Sequence, residues 1–325
     1  MKPIVLSVSG LVTQVGTARL RAVDRVDLDL RADEVLGIVG ESGSGKTTLA
    51  RTLLGQQQES EGEIRLHGQL VSGLAPRQAR AARRSLQYVH QDQSAALDPW
   101  WRIGNTLHET LKINGESSRR DRQHRIEQIL DAVGLHAATL ERYPHELSGG
   151  QIRRIGLGRI LSLRPEIIIL DEPTAGLDLS VQANVLKLFR DMQAQFMLTY
   201  IIVSHDLSVI RLMCDRVAVM YLGRVVEVAP AGQLFDRPVH PYTRSMLRAV
   251  PHIGPERHDQ SQSLRGDPPS LADMPGGCRF RSRCEHATEV CEQRTPELEP
   301  ADNAHLVACL RWRELMVCVK PTHSL

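Results

Sequence analysis

The chain has no long hydrophobic run. Its longest apolar stretches, such as Ile167 to Leu170 and Tyr200 to Val203, fall far short of the roughly 18 residues a membrane-spanning helix needs. No span is expected, so any membrane link must come through a partner. Charge of one sign is also missing: Lys and Arg number 40 against 38 Asp and Glu, a formal net charge of +2, with a pI near 8.3. Charge alone therefore gives no argument for nucleic acid or an anionic lipid surface. The opening Met1-Lys2-Pro3-Ile4-Val5-Leu6-Ser7 carries too short an apolar run for a secretory signal, and a cytosolic location is expected. Neither an internal repeat nor a low-complexity tract is present, which excludes solenoid arrays. Cysteine is scarce until the end, where Cys278, Cys284, Cys291, Cys309 and Cys318 follow a solitary Cys214. What is present, 325 residues of which 42% are hydrophobic, suffices for one large domain and a smaller one.

The most informative run is Gly40-Glu41-Ser42-Gly43-Ser44-Gly45-Lys46-Thr47-Thr48, which fits the phosphate-cradling pattern G-x-x-x-x-G-K-[ST] at every fixed position. The apolar Val35 to Val39 precedes it as a buried strand, and a helix is expected to follow through Leu54. The glycines let backbone N–H groups turn toward a polyphosphate while the helix N-terminus adds a favourable dipole. Lys46 would reach the β and γ phosphates, and Thr47 would place its hydroxyl on Mg²⁺.

Along the chain, Ile4 to Val8 and Val26 to Leu30 read as half-exposed strands of an antiparallel flap, and Gly62 to Gly68 as an edge hairpin. Leu86 to His90 reads as a strand. From about Ser94 to Leu163 the pattern turns helical, clearest in the amphipathic Arg125 to Val133. Strands at Ile167 to Leu170, Tyr200 to Val203 and Val217 to Tyr221, with a helix over Val181 to Phe196 between the first two, imply parallel βαβ units. Leu222-Gly223 reads as a tight hairpin, and residues 254–277 as a Pro-, Gly- and Ser-rich linker.

Two further motifs carry chemistry. Ile167 to Leu170 ends in Asp171-Glu172, which beside a phosphate loop puts one carboxylate near Mg²⁺ and leaves the other to polarise water. Leu147-Ser148-Gly149-Gly150-Gln151 is a second cradle, with a hydroxyl, two exposed backbone N–H groups and a helix behind it. One γ-phosphate hardly needs both cradles from one subunit.

These residues resemble the ATP-binding subunit of an ABC transporter, with residues 40–47 as Walker A, 147–151 as the signature and 167–172 as Walker B. The resemblance implies a P-loop α/β cassette: a mostly parallel sheet core, an antiparallel β flap and a helical subdomain near residues 94–165. It also implies that two cassettes pair head to tail, each ATP held by Walker A of one and the signature of the other. Further roles follow from it: Gln91 as the glutamine that senses Mg²⁺ and the membrane subunits, Asp178 as the residue of the loop crossing the dimer interface, His205 as the switch histidine on the γ-phosphate. Glu172 would be the general base, with Lys46 and His205 on the γ-phosphate, Thr47 and Asp171 serving Mg²⁺, and Ser148 acting in trans. One departure stands out, for the family stacks adenine on an aromatic residue near the first strands and this chain has none before Tyr88. Arg19 or Arg21 could cover the base by cation–π stacking, or Leu20 or Val23 could pack on it. Trp100 and Trp101 lie where the family meets its membrane partners; they serve as interface anchors or as core of the helical subdomain.

The tail points to one branch. His240-Pro241-Tyr242-Thr243-Arg244 and the block from Gly277 to Cys284, continuing through Cys291 to Cys309, resemble segments of peptide and nickel importer ATPases. The four cysteines are separated by five, six and seventeen residues, which is not the pattern of paired zinc knuckles. Four thiolates can hold an iron–sulfur cluster, and some members of this importer family do so, which makes Cys278, Cys284, Cys291 and Cys309 candidate [4Fe-4S] ligands. The competing reading makes them small buried residues of a docking tail. Arg279, Arg281 and Arg283 form a basic stretch of the kind that is usually a solvated face. The expectation is a cassette over residues 1–253, a linker over 254–277 and a cysteine-bearing extension over 278–325. Its implied setting is the cytoplasmic face of the inner membrane, with a second ATPase subunit, two transmembrane permeases and an extracytoplasmic solute-binding protein, and no nucleic acid. A soluble ABC ATPase acting on ribosomes or DNA and an exporter ATPase are the alternatives. Against the first stands the lack of a second cassette or of sustained heptads.

Overall fold

In the computed structural model the described residues are 2–89, 97–249 and 266–317, and they fall into two compact units. The first comprises Pro3–Leu74 and Ile202–Leu325, the second Ala75–Ile201. In chain order the first unit begins with β1 (Ile4–Val15), β2 (Leu20–Arg31), β3 (Val35–Val39), α1 (Lys46–Leu53), β4 (Glu61–Leu66) and β5 (Gln69–Leu70). The second unit follows with α2 (Pro76–Ala82), β6 (Leu86–Val89), α3 (Ile103–Ile113), α4 (Arg119–Ala132), α5 (Gly149–Leu161), β7 (Ile167–Asp171) and α6 (Leu179–Phe196). Strand β8 (Thr199–Ser204) leads back into the first unit, which continues with α7 (Leu207–Met213), β9 (Arg216–Tyr221), β10 (Arg224–Pro230), α8 (Ala231–Asp236) and α9 (Pro241–Arg248). It closes with α10 (Val290–Gln293), β11 (Glu299–Asp302), β12 (His305–Val307) and α11 (Trp312–Val317). No described helix is long and apolar enough to cross a membrane.

In the first unit, β1 and β2 form the expected antiparallel flap, with Leu6 opposite Leu30 and Val8 opposite Leu28. The flap sheet runs β2-β1-β4-β5. Every residue of β3 is buried, as a central strand covered on both faces requires, and β3 lies parallel to β9, Gly37 opposite Val217. Leu222 and Gly223, with φ of 44° and 83°, turn β9 into the antiparallel β10, since a two-residue hairpin of this twist needs positive φ at both positions.

The tail is not merely appended. Strand β12 pairs antiparallel with β10, Glu227 opposite Val307, and β11 pairs on its outer side. Beneath this junction Glu227 is 0% exposed. Its carboxylate accepts from the N–H of Val239 at 2.6 Å and of His240 at 3.1 Å, and from His305 Nε2 at 2.7 Å. A buried polar group so fully hydrogen-bonded fixes the register of the added strands. Val239, Val307 and Trp312 form a small core beside it.

In the second unit the apolar periodicity of α3 and α4 is explained by one cluster: Ile103, Leu107 and Leu111 meet Ile126, Leu130 and Ile155. Beside it β6 runs parallel to β7, Tyr88 opposite Ile169.

Candidate functional site

The phosphate loop occupies the first unit between β3 and α1. Gly45, at φ 101°, caps α1 from the left-handed region, and a Cβ there would stand 2.1 Å from the carbonyl of Ala22. A Cβ on Gly40 would stand 2.2 Å from the carbonyl of Met220. No other residue type fits either position. The buried Lys46 folds back over the loop, its Nζ donating to Gly40 O at 2.8 Å and Glu41 O at 2.9 Å. These carbonyls hold the ammonium over the loop. Ser42 and Gly43 are exposed, and Thr47 and Thr48 are half-buried at the head of the helix.

Several segments distant in sequence brace this loop. The N–H of Gly223 donates to Ser44 O at 2.8 Å, and that of Asp24 to Gly223 O at 2.9 Å. Tyr242 OH accepts from the N–H of Glu41 at 2.8 Å, while Arg283 grips both oxygens of the Glu41 carboxylate, at 2.6 and 2.9 Å. Asp24, 2% exposed, is met by Arg21, Arg224 and Arg279. Burial works to raise its pKa, but the hydrogen bond from Arg224 and the surrounding guanidinium charges prevail and hold it below the usual carboxylate range. Arg279 and Arg283 are thus not part of a solvated face, because the buried Asp24 and the half-buried Glu41 recruit them; Arg281 alone stays outward, 3.5 Å from the carbonyl of Glu292.

Among the candidate base contacts, Val23 is 0% exposed and cannot pack on a ligand. Arg21 is tied to Asp24 and Glu61. Arg19 is exposed and Leu20 half-buried. His205, also in this unit, is exposed at the end of β8. The Ser204 hydroxyl beside it accepts from the N–H of Asp206 at 3.0 Å.

The second unit holds the other motifs. At the end of β7, Asp171 Oδ2 accepts from Tyr88 OH at 2.6 Å, and Asp171 Oδ1 is buried without a hydrogen-bond partner among the described residues. Glu172 follows at φ 49°, a left-handed conformation that costs a non-glycine residue about 1 kcal/mol or more. Nothing in the local sequence flags Tyr88 as the partner of Asp171; only the parallel register of β6 and β7 brings them together. Ser148 and Gln151 form a reciprocal capping box at the start of α5, Oγ accepting from Gln151 N–H at 3.3 Å and Gln151 Oε1 from Ser148 N–H at 3.0 Å. Ser148, Gly149 and Gly150 are exposed. Asp178 caps α6, accepting from the N–H of Val181 at 2.9 Å and of Ser180 at 3.1 Å, and these bonds lower its pKa. Trp100 and Trp101 are exposed, at 84% and 43%, so neither belongs to the core around α3. Gln91 and Cys318 lie outside the described residues.

In the first unit again, Cys278, Cys284, Cys291 and Cys309 line one small cavity with Phe280, Leu310 and Leu315. All four are free thiols. Burial, with the neighbouring sulfurs adding to it, pushes the Cys284 thiol up to about 11 and the Cys309 thiol up to about 12. Among the described residues no group of three or more His, Cys, Asp or Glu side chains is disposed to hold a single metal ion.

Residues 23–175 match the ABC transporter family, and residues 226–291 the C-terminal region of oligopeptide/dipeptide transporters. A putative peptide import ATP-binding protein of Brucella ovis is 44% identical over 308 residues, covering 94% of this chain and 97% of its own length. The di/tripeptide transport ATP-binding protein DppF of Pseudomonas aeruginosa is 44% identical, covering 90% and 91%. For the oligopeptide transport ATP-binding protein AppF of Bacillus subtilis the identity is 42%, with 89% of each chain covered. Among solved structures, CbiO1 of Clostridium perfringens, part of the ABC transporter complex CbiONQ, superposes with a TM-score of 0.67 at 27% identity over 73% of this chain and 92% of that one. The dimeric cassette MJ0796 in a post-hydrolysis state, bound to ADP and Pi, gives 0.60 at 25% identity over 70% and 98%.

Proposed function

The chain belongs to the ATP-binding subunits of ABC peptide importers, and from that premise we propose how its residues divide the work. It is the ATPase of a peptide importer, acting with permease partners and a second cassette; the exporter and ribosome or DNA readings fall away with the match over residues 226–291. The observation that carries the mechanism is the braced phosphate loop, with the Lys46 ammonium held over it by the carbonyls of Gly40 and Glu41.

Backbone N–H groups of residues 40–48 cradle the phosphates, and Lys46 with His205 holds the γ-phosphate. Thr47, Gln91 and Asp171 would hold Mg²⁺, and the buried Oδ1 of Asp171, which has no hydrogen-bond partner among the described residues, leaves an acceptor available for that role. Magnesium, when bound, neutralises charge that develops on the phosphate oxygens. Glu172 takes the proton of the attacking water, and its left-handed backbone is the kind of strain kept at functional sites. Ser148, Gly149, Gly150 and Gln151 serve the nucleotide of the partner cassette; the exposure of the first three and the local cap support a surface that another subunit completes. Asp178 belongs to the same face.

The subunit is peripheral, on the cytoplasmic side of the inner membrane, with the exposed Trp100 and Trp101 anchoring the permeases and a solute-binding protein delivering peptides outside. Cys278, Cys284, Cys291 and Cys309 would hold a [4Fe-4S] cluster; their gathering around one cavity supports this, four thiolates being the ligand set of such a cluster. Anaerobic purification followed by iron, sulfide and visible absorption measurements tests it, and absence of iron removes it. For the motor, Glu172→Gln is expected to abolish hydrolysis while trapping an ATP-bound pair of cassettes, read by steady-state turnover and size-exclusion chromatography. Normal turnover in that variant would sink the assignment.

A further inference from the structure

Between Cys278 and Cys284 the chain makes a short bend that ends in a single helical turn over Arg281–Arg283. Arg281 reaches the carbonyl of Glu292, while Phe280 is buried against Tyr221, Tyr242 and His240, with ring centroids 5.3, 5.4 and 5.9 Å away. With Phe280 locked in place, Arg279 and Arg283 both point at the phosphate loop and its support. Arg279 donates to the carbonyl of Leu222 and to Asp24, gripping the turn whose next residue, Gly223, bonds Ser44. Arg283, 9% exposed, takes Glu41 in a two-pronged grip and lies 5.9 Å from the centre of the Tyr221 ring. Its hydrogen bond to Glu41 raises the Arg283 pKa further, so the guanidinium stays charged at any working pH.

Glu41 lies inside the phosphate cradle, where a free carboxylate would repel the polyphosphate the loop is built to receive. We propose that Arg283 is a positioning residue of the nucleotide site: it neutralises the Glu41 carboxylate and, together with Tyr242 on the Glu41 N–H, fixes the loop's open end. The cysteine-lined module therefore sets nucleotide affinity through Arg283, without touching nucleotide. This rests on residues 40–48 being the ATP cradle.

The test uses the purified importer complex and its ATP dependence. Arg283→Gln is expected to raise KM for MgATP about tenfold or more, as losing a charge-assisted pair and leaving its carboxylate exposed to phosphate implies, with kcat changed by less than about twofold. Adding Glu41→Gln to Arg283→Gln removes the charge left unpaired, so KM should return to within about threefold of wild type. A role in docking the tail alone predicts no such rescue. If Arg283→Gln does not assemble, Arg283→Lys, which keeps the charge but cannot make the two-pronged contact, is compared with and without Glu41→Gln and should show a smaller rise and the same rescue. An unchanged KM in the arginine variant, or a double variant as weak as the single one, overturns the proposal. Lys46→Ala in the same complex separates the two levels: retained hydrolysis there removes the phosphate-loop reading, whereas a dead Lys46→Ala beside a normal Arg283→Gln removes only the role of Arg283.

Discussion

The phosphate loop and the signature turn are built alike, small residues ahead of a helix, yet they are braced in opposite ways. Residues 40–48 are held by Gly223, Tyr242 and Arg283, none of them within 170 residues along the chain. Ser148 and Gln151 cap each other within one turn of α5, with Ser148 exposed and Gln151 half-buried. On the proposed reading, a cradle that binds its own nucleotide is preorganised before the ligand arrives, which lowers the ordering cost of binding. A turn proposed to serve the partner's nucleotide needs only to keep its N–H groups aimed outward, and a local cap does that.

Three substitutions sharpen the contrast. The largest effect belongs to Lys46→Ala, which removes the cation that the loop carbonyls hold in place; hydrolysis is expected to fall by at least about a hundredfold in a steady-state assay. Next comes acid. Burial holds the His240 imidazole down to about 4, and in the unfolded chain it returns to its ordinary value near 6.5. The neutral form is the folded one, so its stabilisation is complete above about pH 6.5 and is lost as pH falls toward 4, roughly 3 kcal/mol in all. Because His240 backs Phe280 and caps α9 through Nδ1, acid should loosen the brace of the phosphate loop and leave the Ser148 cap untouched. In His240→Asn, which can still cap the helix, unfolding midpoints measured across this range should flatten; an equally steep fall would assign the pH dependence elsewhere. The smallest effect is Ser148→Ala, about 1 kcal/mol of stability in the second unit, detectable by chemical denaturation of the isolated chain.

The contrast also marks what could be read in advance. The phosphate loop and α1 are legible because an apolar run, glycines and a Lys-Thr pair follow one another within about fourteen residues, and β7 because its apolar run ends in two carboxylates; each signal is local. The capping box is legible for the same reason. Arg283 was not, because a guanidinium between two cysteines carries no local sign that its partner is Glu41, 242 positions earlier. Tyr88 was not, since its bond to Asp171 arises from strand register. Strands β11 and β12 were hidden too: Glu299-Pro300-Ala301-Asp302 has no β-branched residue, and it is the exposed edge of β10 that makes these segments strands.

The 242-residue separation of Glu41 from Arg283 also has a consequence in time. At about 5–20 residues per second of synthesis, the phosphate loop leaves the ribosome on the order of ten to fifty seconds before the guanidinium that clamps it. The nascent chain therefore passes through an interval in which the loop exists and its carboxylate is unanswered. A chain interrupted before residue 283 would keep the sequence signature of a nucleotide cradle while lacking the guanidinium proposed to ready it, so a later-made segment acts as a check on an earlier one.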